Sequence, residues 1–317
     1  MHVPDHVIDP QIELAAGLGA AAVIASVVAS TRRDPAADGP TLLRSPERLA
    51  PQAATAALVF ALQMVNVPVL PGTSGHLLGG ALATALVGPR RALLAVSSVV
   101  AAQALLFADG GAGALGVNLW LITVLPVAVA ALARRLWSVD AAEGARWWAA
   151  IGTGAVAAPI TSAAAFSVLY VAGGARSSLG SVASAMVGTH AAVAVAEVAI
   201  TLAAVGLLAR AQARVPRTGT APVWAAAGVA AIGLSLAASG APDGLASVLG
   251  DLQVAVDGPG SILSGSPLAG YAVRGLDGLW STSAAGASGL LAAAAGGAAL
   301  AWISRPGEGA RGAAVAA

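Results

Sequence analysis

The chain has 317 residues, of which 57% are hydrophobic and only 10% charged, and its formal net charge is +1. A soluble domain carries about 25% charged residues, so this composition excludes a water-soluble protein and predicts a polytopic, all-α membrane helix bundle. The charge balance offers no basic surface for nucleic acid, and the absence of Cys excludes disulfides, thiolate metal sites and cysteine nucleophiles.

The first apolar segment, residues 11–31, lacks the pattern of a cleaved signal peptide. Asp5 and Asp9 precede it without any Lys or Arg, whereas a signal peptide begins with a positively charged region. Arg32 and Arg33 follow it directly. We therefore expect an uncleaved helix whose amino end lies outside the cell membrane.

Nine apolar spans are predicted along the chain. Most have the roughly 17–25 residues that cross the hydrocarbon core of a bilayer. The third span is too short to cross at about 1.5 Å per residue. We expect it to begin inside the membrane, after an irregular segment at 72–75 that protein or a cavity shields from lipid. The predicted spans are residues 11–31, 52–70, 76–88, 92–108, 115–133, 148–172, 186–209, 222–240 and 284–303.

The arginines predict the orientation of these spans. With the N-terminus outside and nine crossings, fourteen of the sixteen fall in inner loops, and only Arg176 and Arg274 fall outside. We therefore expect a multi-pass protein of the cell membrane, with an extracytoplasmic N-terminus and a cytoplasmic C-terminus. Five residues then lie towards the outer face: Met1, His2, His76, Asp109 and His190.

Two modules are expected. Residues 1–212 hold seven spans, and residues 221–317 hold two spans joined by a long outer loop, 241–283, rich in Gly, Pro, Ser and Asp. The polar stretch between the modules contains Pro216 and Gly219, which is typical of a linker.

The residues with the clearest chemistry are Met1 and His2. The α-amine, the amide nitrogen and the imidazole of such a terminal pair can close two fused chelate rings around one ion, and a second imidazole, His76, can fill the fourth corner. Planar nitrogen ligation is preferred by Ni(II) and Cu(II). The alternatives are a frayed tail for His2 and a helix-cap histidine for His76, although ionisable residues at membrane depth are functional candidates by default.

Further polar residues fall inside or beside the predicted spans. Ser74 is a candidate N-cap for the helix that follows it, and Asn118 is a candidate for an interhelical hydrogen bond. His190 and Glu197 are seven residues apart and share one helical stripe. These two residues could be metal ligands, structural hydrogen-bond partners or members of an ion relay. We favour a role in which they support the structure or the ligands without binding the ion. We do not expect His6 to be a ligand; it should support the ligands or lie at the surface.

The chain lacks the motifs of an energy-coupling enzyme. Without Lys it cannot form a Walker A phosphate loop, and it has no nucleophile elbow or zincin motif. Residues 111–116 fit the pattern Gly-x-Gly-x-x-Gly but follow no predicted strand. We expect no enzymatic activity of its own and no organic cofactor.

Several segments resemble a known family. Residues 1–5 (Met-His-Val-Pro-Asp), 60–68 (Phe-Ala-Leu-Gln-Met-Val-Asn-Val-Pro) and 72–80 (Gly-Thr-Ser-Gly-His-Leu-Leu-Gly-Gly) look like the cobalt/nickel substrate-capture (S) component of energy-coupling-factor (ECF) ABC transporters. The resemblance extends over residues 1–210. Residues 242–245 (Pro-Asp-Gly-Leu) are similar to the small auxiliary subunit of these systems, here fused.

The resemblance implies a ligand set and partners. The Met1 amine, the His2 amide and imidazole, and His76 are expected to hold Ni(II) or Co(II) as the transported substrate, with nickel favoured. A transmembrane coupling (T) subunit and two ATPase subunits are the implied partners. The chain departs from the family pattern at His6, where Gly is usual, and at Ala246, where the auxiliary motif has Glu.

Uptake of a divalent transition metal is therefore the leading hypothesis. Two rivals stay open: a membrane assembly or scaffold subunit whose histidines are structural, and a secondary metal exporter with Glu197 in an ion relay.

Overall fold

Helices form most of the chain. The computed structural model describes residues 1–34, 37–43, 49–174, 178–213, 220–233, 239–253 and 263–305. Several residues used in the sequence predictions lie outside that part: Arg44, Arg48, Arg176, Arg214, Arg217 and Arg311, linker residues 214–219, and residues 254–262 of the predicted outer loop.

The elements follow one another in this order. The helices are α1 Pro10–Arg33, α2 Leu49–Gln63, α3 Gly80–Val87, α4 Pro89–Phe107, α5 Leu115–Asn118, α6 Leu125–Leu136, α7 Gly144–Ala172, α8 Leu179–Gln212, α9 Ala221–Gly228, α10 Gly244–Asp251 and α11 Gly278–Ile303. A π-helical stretch, Leu119–Val124, makes α5 and α6 continuous, another, Val229–Gly233, extends α9, and a 3-10 turn occupies Ala269–Tyr271. The strands are β1 Val67–Leu70 and β2 Thr73–Gly75.

Six helices are long and apolar enough to cross a membrane. They are Pro10–Arg33, Pro89–Phe107, Leu115–Leu136, Gly144–Ala172, Leu179–Gln212 and Gly278–Ile303. This confirms the predicted polytopic all-α membrane fold. Within the described residues, the other three predicted spans are occupied by shorter helices: α2, α3, and α9 with its π-helical extension.

The prediction of one apolar span over 52–70 is wrong beyond residue 63. Helix α2 ends at Gln63, and the chain continues as β1, which pairs antiparallel with β2 through Pro71 and Gly72. Pro68 explains the change, because proline disfavours the helical conformation in the residue before it and lacks an N–H of its own. Gly72 adopts φ +74°, a left-handed conformation that suits glycine. The hairpin places His76 directly after a strand rather than inside a helix.

Helix α11, from the C-terminal part of the chain, packs against the centre of the bundle. A Cβ added to Gly289 would lie 1.9 Å from the Phe60 ring of α2, and one added to Gly297 would lie 3.0 Å from Ala56. Gln52 Nε2 donates to the Gly297 carbonyl at 3.0 Å. Small residues permit this close approach of helices in lipid.

Helix α1 lies at the periphery, where only Ala20 and Thr31 are buried. Its contact with the bundle is nevertheless close at one point, because an added Cβ on Gly116 of α5 would lie 2.3 Å from the Gly17 backbone. Residues 1–9 precede this helix, and the first three of them enter the bundle.

Candidate metal centre

The first three residues are buried inside the helix bundle. Met1 is 4% exposed, His2 9% and Val3 0%. Asn118 holds this segment with both ends of its side-chain amide: Val3 N donates to Oδ1 at 2.7 Å, and Nδ2 donates to the Val3 carbonyl at 3.0 Å. The N-terminus is therefore an ordered insertion, and the frayed-tail interpretation of His2 is wrong.

Asn118 makes these two bonds to the N-terminal backbone rather than to a neighbouring helix, so the prediction of an interhelical bond is corrected. The backbone of residues 108–114 wraps the same segment, since Gly111 N donates to the Val3 carbonyl at 3.0 Å and Gly113 N donates to Asp5 Oδ1 at 2.8 Å. Together these contacts fix the register of Met1 and His2.

Replacing Asn118 by Ala is expected to weaken metal binding by about 5- to 150-fold, since an unpaired buried N–H on Val3 costs about 1–3 kcal/mol and about 1.4 kcal/mol is a factor of ten. The loss arises because Met1 and His2 are no longer held in register. Competition titration of the purified protein with a chromogenic chelator measures it. Ser167→Ala is the matched control, because that buried hydroxyl bonds only within its own helix, to the Ala163 carbonyl. Equal affinities in both variants would contradict this role of Asn118.

His76 faces the N-terminal amine. Its Nδ1 donates to the Leu77 carbonyl at 3.0 Å, which leaves Nε2 as the unprotonated nitrogen of the neutral ring. The Met1 amine lies 2.5 Å from that Nε2. The His2 and His76 rings are stacked, with centroids 5.1 Å apart and an interplanar angle of 25°. The structure thus brings together the three residues predicted as ligands.

Ser74 and Glu197 support the segment around His76. Ser74 is not the N-cap of α3, which begins at Gly80 with Gly79 as its cap; its hydroxyl donates instead to the Ala241 carbonyl at 2.7 Å. Glu197 accepts from Leu78 N at 2.6 Å and from Gly79 N at 3.0 Å. Because both of its oxygens bind backbone N–H groups, Glu197 acts here as a buried anchor for the turn after His76.

His190 bonds to its own helix, and His6 lies at the surface. His190 Nδ1 donates to the Met186 carbonyl at 2.8 Å, and Gly244 packs against its ring, where an added Cβ would lie 3.2 Å from Cε1. His6 is exposed and adopts φ +69°. The structure therefore brings neither histidine into the cluster formed by Met1, His2 and His76.

Sequence reasoning missed the carboxylates that face this cluster. Asp243 Oδ2 lies 2.9 Å from the Met1 amine and 3.7 Å from His76 Nε2. Asp109 Oδ1 lies 3.4 Å from His2 Nδ1, and its Oδ2 accepts from the Tyr271 hydroxyl at 2.5 Å. The signal for Asp243 in the sequence was the likeness of Pro-Asp-Gly-Leu to the auxiliary subunit, which names no distant partner.

Burial sets the charge states of the site. Burial lowers the pKa of His2 to about 4, although the neighbouring Asp109 acts in the opposite direction. Burial alone would raise the pKa of Asp243, but the Met1 amine and His76 hold it well below its usual range. At neutral pH the His2 ring is therefore neutral and the Asp243 carboxylate is ionised, and these are the forms that bind a metal cation.

The donors present fit a small nitrogen site. His2 Nε2 donates to Gln103 Oε1 at 3.1 Å, which leaves Nδ1, the atom that closes the chelate ring, unprotonated. Nitrogens at adjacent corners of a square lie about 2.8 Å apart when each metal bond is about 2.0 Å, close to the 2.5 Å between Met1 N and His76 Nε2. Among the described residues, no group of three or more His, Asp or Glu side chains is arranged as a metal site. A chelate of this kind does not need one, since two of its nitrogens belong to the main chain.

A cavity of about 710 Å³ adjoins the cluster. Three acidic residues face it and give it a negative lining that favours a cation. Residues from both halves of the chain form its wall, among them His2, Asp5, Gln63, His76, Asp109, Ser239, Asp243, Tyr271 and Thr282.

Residues 2–215 match the family described as CbiM, cobalt uptake substrate-specific transmembrane region. The chain belongs to this family. The match spans more than half of the chain, and it confirms the resemblance seen in residues 1–210. The remaining residues form a second part fused to this CbiM-family region.

The chain is also similar to curated relatives, and it shares its fold with a solved structure. The chain is 34% identical over 204 residues to a putative metal transport protein of Haloquadratum walsbyi, covering 63% of this chain and 86% of that protein. It is 40% identical over 129 residues to a putative fused nickel transport protein, NikMN, of Archaeoglobus fulgidus, covering 41% of this chain but only 40% of that relative. A crystal structure of a transition metal transporter shares the fold, with a TM-score of 0.51 and 24% identity over 67% of this chain and 94% of that one.

Proposed function

We propose that this CbiM-family protein is the substrate-capture component of an ECF-type ABC transporter that takes up Ni(II), with Co(II) as the second candidate. The observation that carries the proposal is the buried Met1 amine, held 2.5 Å from His76 Nε2 by a segment that Asn118 clamps. A terminal amine is placed in a membrane bundle at a cost in desolvation, and a cation bound there compensates for it.

The proposed ligand set has four nitrogens: the Met1 amine, the His2 amide, His2 Nδ1 and His76 Nε2. To bind, His2 Nδ1 leaves Asp109 and turns to the ion, while Leu77 keeps His76 in the tautomer that presents Nε2. Planar nitrogen ligation favours Ni(II) over Mg(II) or Zn(II). The fused nickel transport relatives support nickel, and the description of the family supports cobalt.

The partners are those that the resemblance to ECF substrate-capture components implies. We propose that two separate ATPase subunits hydrolyse ATP and that a transmembrane coupling subunit connects them to this component. The chain itself has no Lys for a Walker A motif. We also propose that the N-terminus and the 710 Å³ cavity face the outside and the C-terminus faces the cytoplasm, as the arginine distribution favours.

Metal content and uptake test the proposal against its rivals. The full chain is purified in detergent without added chelator, and bound metal is measured together with its X-ray absorption edge. About one Ni(II) or Co(II) per chain is expected, and uptake by cells is expected only when the coupling and ATPase subunits are present. A scaffold subunit predicts no metal, and an exporter predicts transport without the ATPases. The exporter has no support from Glu197, since both of its oxygens accept backbone N–H groups.

Affinity for Ni(II) is expected to fall as the pH drops from 8 to 5.5. Because burial lowers the pKa of His2 to about 4, its ring binds no proton in this range and does not contribute. The Met1 ammonium and the His2 amide must each release a proton to bind the ion, and each released proton lowers the apparent affinity by about tenfold per pH unit of acidification. Competition titrations with a chelator of known pH dependence measure this slope. Affinity that is flat across the range contradicts the ligand set.

A further inference from the structure

The carboxylate of Asp243 lies beside the position proposed for the bound ion. Its Oδ2, the Met1 amine nitrogen and His76 Nε2 form a triangle with sides of 2.5, 2.9 and 3.7 Å. A single point lies about 2 Å from all three atoms, which is the usual length of a bond from a first-row divalent metal to nitrogen or oxygen. We propose that Asp243, contributed by the C-terminal part of the chain, is an oxygen ligand of the captured ion. This inference rests on the proposed function and adds a donor to its four nitrogens.

The position of Asp243 is fixed by contacts that do not involve the ion. Its Oδ1 accepts from Ala246 N at 2.8 Å and so caps α10, which leaves Oδ2 to face Met1 and His76. This cap needs only the Ala246 backbone, so the departure from Glu at that position leaves it intact. An oxygen that is held in place before binding loses little freedom when it becomes a ligand.

The hairpin that carries His76 is bonded directly to the segment that carries Asp243. Ser74 N donates to the Pro242 carbonyl at 2.8 Å, and the Ser74 hydroxyl donates to the Ala241 carbonyl at 2.7 Å. The Thr73 and Ser247 hydroxyls lie 2.9 Å apart in a further hydrogen bond. These bonds set the distance between His76 Nε2 and Asp243 Oδ2 and make both donors parts of one local structure.

Charge balance supports the same assignment. A Ni(II) ion bound by an amine, a deprotonated amide and two neutral imidazoles keeps one net positive charge. Burial of an uncompensated charge is costly, and an ionised carboxylate in contact with the ion removes that charge. The same carboxylate pairs with the Met1 ammonium at 2.9 Å, so it already lies against the group that would bind the ion.

The ligand role has a spectroscopic consequence. Ni(II) bound by four nitrogens in a plane is diamagnetic, whereas an additional oxygen ligand gives paramagnetic Ni(II). We therefore expect the Ni(II)-loaded full chain to be paramagnetic in susceptibility measurements and to lack the pre-edge X-ray absorption feature of a planar complex.

Asp243→Asn and Asp243→Ser test the inference, because Asn and Ser both cap helices and neither has a carboxylate. Titrated with NiCl₂, both are expected to bind at least about tenfold more weakly and to hold diamagnetic, planar Ni(II). Asp251→Asn is the matched control: it removes the same charge from the exposed end of the same helix and should behave as wild type. Melting of the metal-free proteins reports whether the variants keep their fold.

Each other outcome overturns the ligand role in a recognisable way. Diamagnetic Ni(II) in the wild type shows that Asp243 only pairs with the Met1 amine, even if the variants bind more weakly. Paramagnetic Ni(II) in the variants shows that another group supplies the oxygen. Failure of the folded wild type to bind Ni(II) at all contradicts the proposed function itself.

Discussion

A retained four-residue extension before Met1 is expected to abolish Ni(II) binding, with a loss of more than about 100-fold. Loss of a residue that only hydrogen-bonds to a metal ligand lowers metal affinity by about 10- to 100-fold. The extension has a larger effect because it removes a ligand, the Met1 amine. The amine becomes an amide nitrogen, and the added residues must find space where Met1 is only 4% exposed. Binding is measured by competition titration of the full chain.

The length of that extension matters. A single added residue would create a new terminal run of one amine, two amides and the His2 imidazole, which is a chelator in its own right, so it cannot serve as the test. Cleavage by a protease that cuts immediately before Met1 should restore binding. An extended protein that binds Ni(II) as tightly as the cleaved one contradicts the N-terminal chelate.

His76→Ala is expected to reduce Ni(II) affinity by more than about 100-fold, for it removes a ligand rather than one of the outer contacts that are worth about 10- to 100-fold. The variant also leaves the Met1 amine without its partner at 2.5 Å, although Asp243 still contacts that amine at 2.9 Å. The Met1–Asp243 pair should therefore keep the N-terminal segment inserted.

The matched control for His76 is His6→Asn. His6 is exposed and adopts φ +69°, a conformation that Asn tolerates. This variant should bind Ni(II) like the wild type. If His76→Ala binds normally, or if His6→Asn loses binding to the same degree, His76 is not the fourth nitrogen.

Local patterns predicted the membrane fold and the three nitrogen-bearing residues. The spans follow from runs of apolar residues, and Met1, His2 and His76 follow from their chemistry and their position beside such runs. The hairpin at 67–75 was missed because residues 67–70 extend the apolar run of α2, although Pro68 and Pro71 are local signals against a helix. Residues 72–75 were expected to be irregular, but nothing in them predicted a strand that pairs with 67–70. The prediction of Ser74 as a cap failed because the helix begins at Gly80, four residues after the predicted start at residue 76.

The hydrogen-bond and ion-pair partners of the site residues could not be predicted from local sequence patterns. Glu197 and Leu78 are 119 residues apart in the sequence, and Asn118 and Val3 are 115 apart. Asp243 lies in residues 242–245, whose signal in the sequence was a likeness to the auxiliary subunit, and that likeness named no residue that Asp243 would contact. Which of these groups meet depends on how the helices pack, and neither periodicity nor spacing along a single chain contains that information.

The glycine contacts of α11 have a consequence for assembly. Gly289 and Gly297 let this helix lie directly on α2, so the segment that carries Asp243 belongs to the same packed body as His76. Because the two parts are joined in one chain, their association is intramolecular. The effective concentration of the C-terminal part is then higher than a separate subunit would reach unless it were abundant. Every copy of the protein therefore has one Asp243 carboxylate beside its own Met1 amine.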